Sequence, residues 1–258
     1  MSKPNAHDAV ITDFDFKMIA EFFSTLPQQG PGSDAMTREA IASIDHSDIC
    51  HIADLGCGTG RQTVVLTRMF PQADIVAEDL LPEALEGLKQ RLEKENISNV
   101  KALECPMDSL PFEQESLDLI WAEGSIYNIG FEKGLKYLHQ FLRPGGYIAL
   151  TDCVYLTNIK PDDGGWLENN FADIATIAEK VIQLETNGYS VQKSFALPST
   201  CWTEDYYKPM IPAMEAFLKN NPDNPTARFF VDRLHEEMNH YKEYGDYYGY
   251  AFFIARKR

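Results

Sequence analysis

"HIADLGCGTGR", residues 51–61, joins an apolar run to a loop with glycine at every second position: Gly56, Gly58 and Gly60. An apolar run that stops at such a loop reads as a buried strand, and the amphipathic stretch after it as a helix. Outward from this point, short apolar segments alternate with amphipathic ones from about residue 36 to 153. The strand-like pieces are 50–55, 74–79, 100–104, 117–122 and 146–152. Between them, Leu81, Leu85, Leu88 and Leu92 recur at helical spacing. Leu135, Leu138, Phe141 and Leu142 do the same, with Pro144-Gly145-Gly146 expected to stop that helix. The alternation predicts βαβ units, hence an α/β, doubly wound, mostly parallel sheet with helices on both faces.

The two ends extend this plan. The opening segment reads as a helix with Phe14, Phe16, Ile19, Phe22 and Phe23 near helical spacing, broken by "PQQGPGS" at 27–33. After residue 153 the pattern predicts a helix near 169–187 ending at Asn187-Gly188 and a strand at 189–197. Two more helices are predicted near 204–220 and 225–243, then a last strand in "YYGYAFFIARK". The two late helices carry Tyr206, Tyr207, Met210, Met214, Phe217 and Phe229, and no linker isolates them. They read as a cap (202–246) on a single domain spanning 1–258. The core is 36–200 with 247–258, and residues 1–34 form a leading helix and lid.

The chain has 258 residues, 44% of them hydrophobic, enough for one sizeable core. Its formal charge of −16 opposes phosphate backbones and anionic lipid heads, so nucleic acid and membrane are poor partners. Five scattered cysteines without a CxxC pair read as reduced thiols. The opening residues lack the basic-then-apolar plan of a signal peptide, and no apolar run reaches the roughly 20 residues a bilayer span needs. A cytoplasmic location is expected, and a homodimer is compatible with the reading.

Three ligand types compete for the glycine loop. A Walker phosphate loop needs a lysine after the glycines, and none follows. A dinucleotide fingerprint needs glycine where Arg61 stands, since the third glycine lets helix and strand approach closely. S-adenosylmethionine also needs bare backbone but brings no pyrophosphate. Asp54 at the mouth of the loop repels phosphate and suits an ammonium group, directly or through water. The acid favours the third ligand.

"DLGCGTG" at 54–60 resembles the first motif of class I S-adenosylmethionine-dependent methyltransferases, E/DxGxGxG. The resemblance extends, in order, over "IVAEDLLPEAL", "CPMDSLPF", "SLDLIWAEGSIYNIGF" and "LKYLHQFLRPGGYIALTD". It implies a Rossmann-like seven-stranded sheet whose last strand is antiparallel. It also implies that S-adenosyl-L-methionine is bound by the backbone of Gly56, Cys57, Gly58 and Gly60, and S-adenosyl-L-homocysteine released. Asp79 is expected to take the ribose hydroxyls, in preference to its neighbour Glu78. Leu80 and Met107 would flank the adenine, and Asp108 would meet its amino group. A narrower resemblance, to bacterial methyltransferases related to the ubiquinone and menaquinone biosynthesis enzymes, rests on "DFDF", "QGPGS", "EGSIYNIGFE", "CWTE" and "DYYGY". It leaves the acceptor open. Gln29, Gly30 and Ser33 are expected at the methionine tail.

Methyl transfer from a sulfonium is a direct displacement in which alignment does most of the work. The loop after the fourth strand presents Glu123, Ser125, Tyr127 and Asn128. Glu123 is expected either to act as base or orienter, or to hold the loop or cofactor. Tyr127 is a second catalytic candidate, and Tyr127, Asn128 and Trp202 are candidates to line the acceptor site; Tyr127 also reads as plain packing, and core packing is the default for Trp202. Aromatic walls on an acidic protein suit an amine or cationic acceptor. His235 and His240 stand five apart and make no HExxH zinc site. His51 reads as buried structure, His139 as packing, and Cys57 as a small apolar filler. The reading is therefore transfer of a methyl group to a small-molecule N, O or C nucleophile, with no metal. Its rivals are a cofactor-binding protein without transferase activity and an NAD-dependent oxidoreductase.

Overall fold

A computed structural model describes residues 13–258, and side chains from residue 17 onward. Residues 1–12, and the Phe14 and Phe16 side chains of the expected apolar face, lie outside the described residues. The chain opens with α1 (Asp13–Ser24) and α2 (Asp34–Ile41). It continues through β1 (His51–Leu55), α3 (Arg61–Met69), β2 (Asp74–Asp79), α4 (Pro82–Lys94), β3 (Val100–Glu104) and β4 (Leu117–Ala122). Then come α5 (Phe131–Leu138), β5 (Leu142–Tyr155), α6 (Trp166–Asn170), β6 (Ala175–Thr176), α7 (Ile177–Thr186) and β7 (Tyr189–Ala196). α8 (Thr200–Trp202), α9 (Lys208–Asn220), α10 (Pro225–Tyr244) and β8 (Tyr248–Lys257) complete it. A π-helical turn, Thr203–Tyr207, runs α8 into α9.

The sheet order is β3-β2-β1-β4-β5-β8-β7, with the two-residue β6 beside β5. β1 to β5 pair in parallel, and β8 runs antiparallel between β5 and β7. The strand order reverses between β1 and β4, so a crevice lies beyond their carboxyl ends, where open α/β sheets bind ligands. Full burial of all six residues of β4 follows from helices covering both faces.

Local chemistry sets the element ends. The Ser33 side chain accepts from the Met36 N–H and starts α2. Pro82 stands in the first turn of α4, whose Leu85, Leu88 and Leu92 are buried. Asn224 caps α10, and Thr176 with Glu179 forms a capping box on α7.

One face of the sheet, through Trp121, Ala149, Cys153 and Phe252, shares a core with Trp202, Tyr207, Met210, Met214 and Tyr241 of the late helices. The other face packs Leu55, Ile120, Leu150 and Phe253 against Leu135, Leu138 and Leu184 of α5 and α7. α1 joins the first group, since Phe22 meets Phe217 and Phe230 edge-on at 5.2 Å.

Four expectations are corrected. The helix expected over 169–187 is two helices: β6 interrupts it beside β5, and the Thr176 cap restarts it. α5 ends at Leu138, so Phe141 and Leu142 lie beyond it and Pro144-Gly145 falls within β5 rather than stopping a helix. His51 is exposed at the open start of β1. Phe229 is exposed while its neighbour Phe230 packs inward, a one-residue turn of the helical face.

Candidate functional site

The loop between β1 and α3 turns on left-handed backbone at Gly56 (φ 63°) and Gly58 (φ 55°). A Cβ at Gly56 would stand 2.4 Å from Ser125 Cβ, and one at Gly58 would stand 2.1 Å from Gln29 Oε1. Bare backbone is thus required by packing as well as by torsion.

The loop's donors are already aimed at carboxylates. The Gly56 N–H donates to Glu78 Oε2 at 3.2 Å, and the Gly58 N–H donates to Asp79 Oδ2 at 2.8 Å. Asp79 Oδ1 also accepts from the Leu81 N–H at 2.9 Å. Glu78 is buried and Asp79 is partly open, so of the two acids at the end of β2, Asp79 is the one a ligand can reach. Burial pushes the Glu78 carboxyl up to about 8, with the nearby Asp79 and Asp54 charges adding to it. Burial likewise raises Asp79 above the usual carboxylate range, against its backbone hydrogen bonds.

Asp54 is wholly buried. Its two oxygens accept from Thr63 Oγ1 at 2.6 Å and Gln62 Nε2 at 3.2 Å, and burial pushes it up to about 7. It therefore braces the first turn of α3, and the direct contact with a ligand ammonium, one of the two alternatives, is closed. The Cys57 side chain packs with Ala77, Leu85 and Leu88, so this residue offers only backbone to the loop. Its thiol, raised well above its ordinary value by burial, is held neutral.

Gln29 locks the leading segment onto the loop. Its Nε2 donates to Phe23 O and Thr59 Oγ1, and its Oε1 accepts from the Thr59 N–H at 3.0 Å. Gly30 borders open space, and Ser33 is spent as the α2 cap. Of the residues expected at the adenine, Leu80 is 54% exposed, Met107 is buried against Gly56, and Asp108 is exposed in the turn after β3.

Glu123, expected as a base or a holding group, has both oxygens occupied. Oε1 accepts from Thr37 Oγ1 at 2.7 Å and Trp121 Nε1 at 2.8 Å, and Oε2 pairs with the Arg61 guanidinium. Arg61 also reaches Asp34 at 3.3 Å, so the residue that departs from the glycine pattern ties α3, α2 and the β4 loop together. Three donors on its two oxygens fasten Glu123 to the loop.

The acceptor-side residues separate. Tyr127 is 56% exposed and borders a cavity of about 150 Å³ together with Asp152, Cys153, Phe171 and Asp173. Asn128 is exposed beside it, with its amide donating to Ser125 O. Trp202 is corrected from pocket wall to core: it is 2% exposed and stacks on Tyr241 at 4.5 Å. The sequence reading missed the buried pair of Asp152 with Lys180, 2.6 Å apart. The signal was available, since Lys180 stands one turn before the buried Leu184 on the inward face of α7.

Residues 46–213 match a family described as a methyltransferase domain. A malonyl-[acyl-carrier protein] O-methyltransferase of Dechloromonas aromatica is 35% identical over 129 residues, covering 48% of this chain and 42% of that protein. The chain thus spans less than half the length of this relative. A methyltransferase structure from Geobacter sulfurreducens, solved with S-adenosyl-L-homocysteine, superposes with a TM-score of 0.81 at 19% identity, covering 94% of this chain and 98% of that one. The [4+2]-cyclase SpnF shares the fold too, with a TM-score of 0.72 at 16% identity over 94% of this chain and 93% of that one.

Proposed function

The chain belongs to the methyltransferase-domain family, and from that premise we propose that it transfers a methyl group from S-adenosyl-L-methionine to a small-molecule acceptor, releasing S-adenosyl-L-homocysteine. One observation carries the choice of cofactor. The N–H groups that a pyrophosphate would need at Gly56 and Gly58 are taken by Glu78 and Asp79. Donors already committed to side-chain acids are not free to cradle a pyrophosphate, whereas a ligand without one needs only the bare backbone.

When bound, the cofactor supplies a methyl group on a positively charged sulfur, already activated for in-line displacement. The chain's own residues bind and orient. Asp79 holds the ribose hydroxyls, Leu80 and Met107 cover the adenine, and Asp108 meets its amino group. The backbone of 56–60 and the Gln29–Ser33 turn close on the tail. Glu123, fixed by Arg61, positions the loop that carries Tyr127 and Asn128 toward the acceptor. Alignment of this kind contributes up to about 7–11 kcal/mol to a two-substrate reaction.

Calorimetric titration tests the reading. S-adenosyl-L-homocysteine binds in the micromolar range and NADH gives no heat; the reverse result overturns it. Asp79→Ala weakens cofactor binding about tenfold or more, through loss of paired hydrogen bonds. A second reading, cofactor binding without methyl transfer, draws on the cyclase that shares the fold. It predicts S-adenosyl-L-homocysteine binding with no turnover of any acceptor.

A further inference from the structure

β5 outruns β4. Leu150 pairs with Ala122, the last residue of β4, so residues 151–155 project past it beside the loop that follows. The Gly124 N–H donates to Thr151 Oγ1 at 2.7 Å and ties that loop to the projecting strand. The cavity of about 150 Å³ lies in this corner, bordered by Tyr127, Asp152, Cys153, Asn170, Phe171 and Asp173. A cavity of about this volume accommodates a ligand the size of benzene.

The lining is acidic and aromatic. The Asp152 side chain is 6% exposed. Lys180 takes its Oδ2 at 2.6 Å, and among the described residues no side chain donates to the other oxygen. Lys180 is wholly buried, with Nζ 4.0 Å from the Phe131 ring centre, so its charge is consumed behind the wall. Asp173 accepts from the Phe131 N–H at 2.9 Å.

We propose that this cavity is the acceptor site and that it takes a primary or secondary amine, docked as its ammonium ion between Asp152 and Asp173 and against the Tyr127 and Phe171 rings. The inference rests on the methyltransferase reading above. An acidic acceptor would meet the Asp173 carboxylate and the Asp152 oxygen that Lys180 does not take, and an alcohol would bring no positive charge to either. Aromatic faces beside carboxylates add attraction for a cation.

The chemistry balances. The docked ammonium gives one proton to Asp152 and becomes a neutral amine. Burial raises Asp152 above the usual carboxylate range, which suits a proton acceptor, with Lys180 opposing the rise. The nitrogen lone pair then forms a bond to the methyl carbon as the carbon–sulfur bond breaks, its electron pair staying on sulfur. The product leaves as a methylammonium ion, and the proton on Asp152 passes to solvent. Glu123 is fastened to its own loop by Thr37, Trp121 and Arg61 and does not line this cavity.

The test compares small primary and secondary amines with alcohols and carboxylic acids of matched size. S-adenosyl-L-homocysteine release is measured for each, and amine binding is followed by calorimetry on protein saturated with S-adenosyl-L-homocysteine. Turnover and binding confined to amines are expected. In Asp152→Asn/Lys180→Met, which removes both buried charges together, amine affinity falls about tenfold or more while S-adenosyl-L-homocysteine affinity is kept. Asp173→Asn, at an exposed position, lowers amine affinity in the same direction without risk to the fold. Turnover of acids or alcohols instead of amines overturns the proposal, as does silence with every amine or unchanged amine affinity in both variants. In each of these cases, intact S-adenosyl-L-homocysteine binding leaves the cofactor assignment standing; its loss removes both.

Discussion

Glu78 is a carboxylic acid inside a strand whose pattern otherwise calls for an apolar residue. Its environment favours the neutral form, and that makes stability depend on pH. The folded carboxyl, pushed to about 8, holds its proton well above the ordinary value of 4.5. Between these values the folded state binds more protons than the unfolded chain, so the stabilisation is complete below about pH 4.5 and is lost as pH rises toward 8. Asp54, pushed to about 7, acts in the same direction. In cofactor-free protein, urea unfolding at pH 8.5 therefore shows lower stability than at pH 5.5. Glu78→Gln keeps an acceptor for the Gly56 N–H and recovers at least about 1 kcal/mol at the higher pH. An unchanged pH profile in that variant removes Glu78 as its source.

Elements are docked here by single polar contacts as much as by apolar faces. α7 is fastened to β5 through Lys180 and Asp152. Lys180→Met strands a carboxylate in the interior and costs about 3–5 kcal/mol at neutral pH, whereas Asp152→Asn/Lys180→Met recovers most of the loss. Equal destabilisation of the two variants by urea unfolding would show that the pair is not what fastens the helix. The leading segment is fastened to the glycine loop through Gln29. Gln29→Ala raises amide exchange in residues 23–33 by about five- to tenfold, the loss of roughly 1 kcal/mol of local hydrogen bonding. The strand positions were readable because runs buried on both faces are continuous and apolar. The break at 171–176 was not, because β6 exists only by pairing with β5, and that neighbour is remote in sequence.

Across the whole molecule, the glycine loop, the leading segment and the loop after β4 converge on the crevice where the strand order reverses. A ligand that spans them stabilises the fold by mass action. S-adenosyl-L-homocysteine at a hundredfold excess over its Kd adds about 2.7 kcal/mol of unfolding free energy, while NADH at the same concentration adds nothing. A thermal shift with NADH alone would reverse the assignment. Among the described residues no helix is long and apolar enough to cross a membrane, and all five cysteines are free.

The sequence by itself determined the doubly wound sheet and the glycine loop. Each is a local property: periodicity follows from strand and helix geometry, and a loop motif from its own backbone. Only the tertiary structure decided that Glu123 is locked by Arg61, Thr37 and Trp121, that Trp202 belongs to the core, and that Asp152 is paired with Lys180. Those facts depend on which side chains meet after folding. Whether a carboxylate is free, paired or neutral is set by neighbours tens of residues away, and spacing along the chain carries no record of them.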